Sequence, residues 1–171
     1  MTVIKKVQGK KKGNGFERRI SNLLSKRFEP LLNIEKAFYR NADSGSYFGG
    51  SNKQRIQTHT LDYAVFGDLV CPKNFKFSIE CKHYKTPPTF KSIVNHDVTQ
   101  WNNWLNQATQ DAKSSNRQMC LIVKYNNVDE IIFLTDNLNN NIKCNYIIYQ
   151  QKYFIYSLSD WLLMPDDYFF N

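Results

Sequence analysis

The sequence contains no long apolar run and no closely paired cysteines. No stretch approaches the roughly 18 to 20 consecutive apolar residues that cross a bilayer, and the start at Met1 leads into lysines rather than into an apolar signal core. The cysteines at positions 71, 81, 120 and 144 form no CxxC pair, which argues against a zinc cage and fits a reducing compartment. We therefore expect a cytoplasmic protein without membrane contact.

Acidic residues are in the minority. The 171 residues include 15 Asp and Glu against 23 Lys and Arg, a formal net charge of +8 at pH 7. The length fits one domain, and a hydrophobic content of 42% with 15% aromatic residues excludes wholesale disorder. A basic excess indicates a polyanionic partner, most often nucleic acid, although solubility alone could explain a charge of this size.

The chain divides into a short basic start and one folded domain. Lysines at positions 5, 6, 10, 11 and 12 predict a flexible basic arm over residues 1–12, which could track phosphates or be a solvated tail. Apolar residues then recur at helical spacing from Phe16 to Phe28, and Pro30 closes this first helix. Residues 13–171 are expected to form the single domain.

The remaining pattern predicts an α/β fold with a mixed sheet flanked by helices. A loop rich in Gly, Ser and Asn follows an extended piece over residues 34–40, and its continuation carries Lys53 and Arg55. Residues 61–70 and 75–82 are predicted to pair as a hairpin at the centre of the sheet. The other predictions are helices over 95–115 and 159–164 and strands over 119–125, 130–135, 144–149 and 153–156.

The predicted strand over residues 75–82 places Glu80 and Lys82 on one face, because side chains alternate along a strand. Alone, that face could be an ordinary solvent-facing side. A three-residue hairpin loop would set Asp68 diagonal to Glu80 on this face, whereas a two-residue loop would set it on the other. Gly67 before Asp68 indicates a bend or a close backbone approach.

Two carboxylates at neighbouring strand positions suit a hard divalent cation. Asp68 and Glu80 would offer oxygen ligands to Mg²⁺, and Mn²⁺ could substitute for it. Lys82 beside them would stabilise the charge on an attacked phosphate. These parts predict phosphodiester hydrolysis.

The first helix adds a third carboxylate. Glu17 falls inside the apolar arc of the helical projection, between Leu24 and Phe28. Burying a carboxylate alone costs several kcal/mol, so Glu17 needs a partner. Either an ion pair with a nearby base or contact with a metal would supply one.

Four segments, in their order and spacing, resemble the PD-(D/E)XK nuclease superfamily, in particular the archaeal-type Holliday junction resolvases and related phage endonucleases. The resemblance covers roughly residues 10–125, and Gly67 stands where the proline of the family name would be. The segments are Gly13-Asn-Gly-Phe-Glu17, Arg40-Asn-Ala-Asp-Ser-Gly-Ser46, Phe66-Gly-Asp68-Leu and Ile79-Glu80-Cys-Lys82.

The resemblance implies a restriction-endonuclease-like core and a Mg²⁺-dependent DNA endonuclease. Glu17, Asp68 and Glu80 would form the acidic metal site, Lys82 would be the catalytic lysine, and Ser44 or Ser46 would contact phosphate or the active site. It further implies a homodimer that cuts branched or junction DNA in recombination or repair, in the host-cell cytoplasm if the protein is phage-encoded.

Further DNA contacts are expected from basic and polar side chains that position the duplex without reading its sequence. Gln107 matches the family's second-helix glutamine, yet it projects opposite the apolar stripe of its helix, so it and Lys124 could equally be plain surface. The candidates for DNA contact are Arg40, Ser44, Ser46, Lys53, Arg55, Gln107 and Lys124.

Two other functions fit parts of the pattern. A site-specific nuclease of restriction or homing type would share the chemistry but would need an element that reads base edges. A non-enzymatic nucleic-acid binder would need no acidic cluster, because carboxylates repel phosphate unless a cation lies between them. The joint presence of Asp68, Glu80 and Lys82 favours the enzyme.

Overall fold

The computed structural model describes residues 3–41, 63–138 and 143–171. Its helices are α1 (Val3–Leu32), α2 (Phe90–Val94), α3 (Thr99–Ser114), α4 (Leu158–Leu162) and α5 (Asp166–Phe169). Its strands are β1 (Tyr39–Arg40), β2 (Tyr63–Phe66), β3 (Leu69–Pro72), β4 (Phe77–Tyr84), β5 (Gln118–Tyr125), β6 (Ile131–Leu134), β7 (Ile147–Tyr149) and β8 (Tyr153–Ser157).

Five strands form a mixed sheet in the order β4-β5-β6-β8-β7. The long strands β4 and β5 run parallel, with Glu80 opposite Leu121, and α3 lies in the crossover between them. The other neighbours pair antiparallel. The predicted α/β class, a mixed sheet flanked by helices, is confirmed.

Each face of this sheet carries its own apolar core. On one face α1 and the C-terminal helices pack through Ile20, Phe28 and Trp161 against Ile79 of β4. On the other face α3 contributes the stripe that the periodicity predicts, and Trp101 donates from Nε1 to the buried Tyr125 hydroxyl at 2.7 Å. Burial on both faces explains why β5 reads as a nearly continuous apolar run.

Helix α1 is longer than the apolar pattern predicts. It begins at Val3 rather than near Phe16, so residues 3–12, expected in a flexible arm, lie within it. Lysine and glutamine are good helix formers, which offsets the single glycine of this stretch, Gly9. The helix also passes Pro30 and ends at Leu32, where Asn33 takes a φ of 52° and donates to the Glu29 carbonyl at 2.8 Å.

The predicted hairpin between residues 61–70 and 75–82 is wrong. The chain reverses earlier, at a two-residue turn of Gly67 and Asp68, so that β2 pairs antiparallel with β3 and Phe66 lies opposite Leu69. Strand β1 covers the other side of β3, giving a separate sheet in the order β1-β3-β2. Strand β4 is therefore an edge strand of the five-stranded sheet rather than its centre.

A glycine at position 67 is what allows the turn to touch β4. Gly67 has a φ of 69° and bridges to Ile79 in parallel register, and a Cβ at this position would lie 2.4 Å from the Ile79 carbonyl oxygen. Both the left-handed backbone and the close approach exclude a side chain. The bend predicted from Gly67 is confirmed.

The C-terminal segment is fastened to α1 by Arg27. Its guanidinium donates to the carbonyls of Leu162 and Met164 at 3.0 Å each and pairs with Asp166 at 2.8 Å. Arg27 thus holds the short helices α4 and α5 over the core. In the described ranges, no helix has the length and apolar character needed to span a membrane.

The tight approach of Gly67 gives a stability prediction. Gly67→Ala should lower the free energy of unfolding by about 1–3 kcal/mol or more, because the new methyl group meets backbone and the φ is strained. Urea denaturation measures the change. The matched control is Gly15→Ala on α1, where a Cβ would have no atom within 4 Å. This substitution should stabilise the helix by roughly 0.5–1 kcal/mol. Equal stability of Gly67→Ala and the wild type would contradict the described turn.

Candidate active site

Strand β4 presents two ionisable side chains to the α3 side of the sheet. Phe77, Ile79 and Cys81 enter the core against α1, so Glu80 and Lys82 point the opposite way, as predicted. The predicted alternative of a solvent-facing strand side does not hold for Glu80, which is only 2% exposed. The fold therefore buries a carboxylate beside a lysine.

Asp68 reaches the same edge of β4 from the β2–β3 turn. Its backbone N–H donates to the Ile79 carbonyl at 2.9 Å, and its Oδ2 accepts from the Cys81 N–H at 2.8 Å. These two bonds flank Glu80 in the sequence. Asp68 and Glu80 thus converge as expected, although through a tight turn beside β4 and not through a hairpin register.

Burial and like charge raise the pKa values of both acids. The pKa of Glu80 rises to about 7, chiefly because the side chain is buried and then because Asp68 is close, while Lys82 opposes the shift. The pKa of Asp68 is raised by burial and by the charges of Glu17 and Asp111, against the lowering effect of the Cys81 N–H. Carboxyl groups whose pKa values are shifted by burial and by neighbouring charges are typical of functional sites.

The shift at Glu80 has a defined effect on stability. The pKa in the folded protein lies above the ordinary value of 4.5, so the protonated form favours folding. This contribution, on the order of 3 kcal/mol, is complete below about pH 4.5 and is lost as the pH rises through about 7. Ionisation of Glu80 as the pH rises through about 7 therefore destabilises the metal-free fold.

Lys82 and Gln107 both bind one oxygen of Glu80. The Lys82 ammonium donates to Glu80 Oε1, and the Gln107 amide donates to the same atom at 2.7 Å. Lys82 also donates to Gln107 Oε1 at 3.2 Å. Of the two possibilities left open for Gln107, plain surface or site contact, the structure places it against Glu80 and Lys82.

Glu17 is paired with a base. Its Oε2 lies 2.6 Å from Arg40 Nε, and the Arg40 guanidinium also donates to Asn14 Oδ1 at 3.0 Å. The ion pair, one of the two partners considered for Glu17, is thus present. Because the charge of Glu17 raises the pKa of Asp68, the two carboxylates are also electrostatic neighbours. Arg40, predicted to contact DNA, lies against Glu17 and holds it.

Two residues of the site escaped the sequence analysis. Asp111 lies one helical turn beyond Gln107 on α3, a spacing that could have drawn attention to it, and its charge raises the pKa values of Asp68 and Glu80. Asn41 donates to the carbonyls of Asp68 and Gly67 at 2.8 and 3.1 Å. Its Oδ1 is buried and, within the described part of the chain, has no hydrogen-bond partner.

The other predicted DNA contacts divide into two groups. Lys124 donates to the Val128 carbonyl at 2.6 Å and pairs with Glu130 at 3.0 Å, so its side chain lies at the end of β5 against the turn that leads to β6. DNA contact by Lys124 stays a prediction. Ser44, Ser46, Lys53 and Arg55 lie outside the described residues.

The carboxylates fit a magnesium-like ion better than a structural metal cage. Over residues 3–41, 63–138 and 143–171, no group of three His, Cys, Asp or Glu side chains is arranged to hold a metal. Mg²⁺, however, usually keeps several waters and takes one or two carboxylates together with substrate phosphate. Asp68 and Glu80 offer that donor set. A cation bound between them would offset their negative charges and so relieve the repulsion.

The charges around Glu80 give a titration prediction. Lys82→Met should raise the pKa of Glu80 further, because a hydrogen bond and a positive charge are lost, whereas Asp111→Asn should lower it. Carboxyl ¹³C NMR of the metal-free protein measures both. Glu29→Gln, an exposed position on α1, is the control and should leave Glu80 unchanged. Titration of wild-type Glu80 near pH 4.5 would contradict the described burial.

The comparison with protein families agrees with the motifs. A family model described as "Phage putative PDDEXK endonuclease" matches residues 8–168. Among solved structures, the chain is similar to Hjc, a Holliday junction resolvase from Archaeoglobus fulgidus, with 16% identity, coverage of 86% of this chain and 89% of that one, and a TM-score of 0.39. The search of curated proteins found no match. The predicted resemblance is confirmed at the level of the family.

Proposed function

Since this chain belongs to the family of phage PDDEXK endonucleases, we propose that it is a divalent-metal-dependent endodeoxyribonuclease that cuts at the edge of β4. One observation carries the proposal: the Cys81 N–H holds the Asp68 carboxylate beside Glu80, with Lys82 on the Glu80 oxygen. This arrangement unites two hard ligands and a fixed cation, the parts needed for phosphodiester hydrolysis.

Asp68 and Glu80 are the residues that would hold the cation, with Glu17 nearby. Mg²⁺, for which Mn²⁺ could substitute, suits these oxygen donors. When bound, such an ion acidifies a water molecule and stabilises charge on the phosphate. Asn41 Oδ1, buried and unpartnered in the described part of the chain, is a further oxygen beside the Asp68 turn.

The surrounding side chains prepare the two acids for this role. Gln107 bonds to both Glu80 and Lys82 and so fixes their mutual orientation. The Lys82 ammonium stabilises negative charge that develops on a phosphate at this edge. Arg40 holds Glu17 in place and limits the repulsion that three acids would otherwise exert on one another.

The substrate we propose is DNA, in particular branched or junction DNA met in recombination or repair. Exposed basic residues on α1 and α3, such as Arg18, Lys26 and Lys113, are suited to phosphate contacts that carry no sequence information. A four-way junction offers two equivalent strands, so a two-fold homodimer would present one site to each.

The test compares cleavage of a four-way junction, its linear duplex arms and single strands in Mg²⁺, Mn²⁺ or EDTA. We expect metal-dependent cutting, faster on the junction. Asp68→Asn, Glu80→Gln and Lys82→Ala should each lower the rate by roughly 100-fold or more, because each removes a charge from the site. Glu29→Gln, which removes an exposed carboxylate from α1, should cut like the wild type.

Other outcomes point to different functions. Cutting of linear duplex at defined sequences, with no preference for the junction, would favour a restriction-type enzyme. DNA binding without cleavage in either metal would contradict the nuclease proposal and favour a non-enzymatic binder.

A further inference from the structure

Beyond the site, the same face of β4 continues into an exposed aromatic. Side-chain alternation places Tyr84 on the side of Glu80 and Lys82. The Tyr84 ring centroid lies 5.6 Å from that of Trp104, which is one helical turn before Gln107 on α3. The row of side chains between β4 and α3 therefore runs from the acidic site to Tyr84.

Large apolar side chains after β4 are turned to solvent. Phe90 is 80% exposed and Tyr84 is 51% exposed. Helix α2, which Phe90 begins, buries none of its residues fully, although its half-buried Ile93 packs against the core cluster on the α3 side. The fold thus holds α2 on the site's side of the sheet while leaving Phe90 uncovered, which is unusual for a ring of this size.

The charge of this stretch is of one sign. Residues 84–94 include the exposed Lys85 and Lys91 and no Asp or Glu. Two prolines at 87 and 88 restrict the backbone, and Thr89 caps α2 by accepting from the Ser92 N–H at 3.2 Å. Exposed rings interleaved with lysines on a restrained backbone are the features of sites that bind unpaired nucleic-acid strands.

We propose that residues 84–94, here called the aromatic segment, bind unpaired bases of the DNA strand next to the cut phosphate, with Phe90 as the stacking ring. The inference rests on the proposed function and narrows its substrate to DNA with unpaired bases near the cleavage site. The polyanionic backbone of such a strand complements Lys85 and Lys91, whereas an apolar protein partner would leave these charges unmatched.

The experiment measures binding in EDTA, so that no cleavage occurs. Fluorescence anisotropy gives the affinity for a fully paired duplex and for the same duplex with a short single-stranded gap that carries 2-aminopurine. The variants are Phe90→Ala and Phe90→Trp. Leu163→Ala is the matched control, because Leu163 is also a large apolar residue, 72% exposed, and follows α4 at the other end of the chain.

We expect the wild type and Phe90→Trp to prefer gapped over paired DNA and to quench 2-aminopurine. Phe90→Ala should lower this preference by roughly 5- to 150-fold, the range for loss of one stacked base, and should abolish the quenching. Leu163→Ala should behave like the wild type. Retention of the preference by Phe90→Ala, an equal loss in Leu163→Ala, or no preference in the wild type would overturn the inference.

Sedimentation of the same proteins tests the other possible occupant of the aromatic segment, a second copy of the chain. A lower oligomeric state of Phe90→Ala, with equal loss of affinity for both DNAs, would assign the aromatic segment to a second copy of the chain and overturn the inference. Because the binding assay omits metal, failure of the nuclease proposal would appear in the cleavage assay instead, as intact DNA despite stacking on Phe90.

Discussion

The contact of the Gly67-Asp68 turn with the edge of β4 is the constraint on which the site depends. One backbone bond, from Asp68 N–H to the Ile79 carbonyl, sets the turn against the strand, and one side-chain bond, from Cys81 N–H to Asp68 Oδ2, aims the carboxylate. The approach is possible because position 67 has no Cβ. The short turn thereby brings Asp68 beside Glu80, as the register of a paired hairpin would have done. It leaves the α3 side of β4 free for Glu80.

The second constraint is that carboxylates of like charge are buried close to one another. Besides burial, Asp68 raises the pKa of Glu80, Glu17 raises the pKa of Asp68, and Asp111 raises both. Lys82, Gln107 and Arg40 compensate through hydrogen bonds and ion pairs, but the pKa of Glu80 still rises to about 7. The carboxylates thus lower the stability of the metal-free fold at the point where a cation would bind. Such a loss of stability is common at functional sites. The proposed function gives the basic surface and the acidic centre one explanation, because a metal ion would let the carboxylates meet a phosphate.

Local patterns predicted much of this structure, and long-range pairing accounts for what they missed. The period-2 alternation of β4 and the apolar stripe of α3 set the faces of Glu80 and Trp101 correctly, because each depends on neighbours in the chain. The strand partner of β3 could not be predicted in this way, because a reversal at Gly67-Asp68 and a hairpin loop between residues 70 and 75 are both compatible with the local sequence. Two contacts of the site, the ion pair of Arg40 with Glu17 and the approach of Asp111 to Asp68, could not be predicted either. They depend on how α1, β1 and α3 pack, which no single segment encodes.

The most direct test of the account is where a divalent cation binds. Crystals grown with Mn²⁺ and measured at its absorption edge would locate the ion by anomalous scattering, in the wild type and in Asp68→Asn. We predict one strong peak in contact with Asp68 and Glu80 in the wild type, which weakens or disappears in the variant. A peak elsewhere on the chain, or a peak at this position that is unchanged by Asp68→Asn, would contradict the claim that these two carboxylates form the metal site.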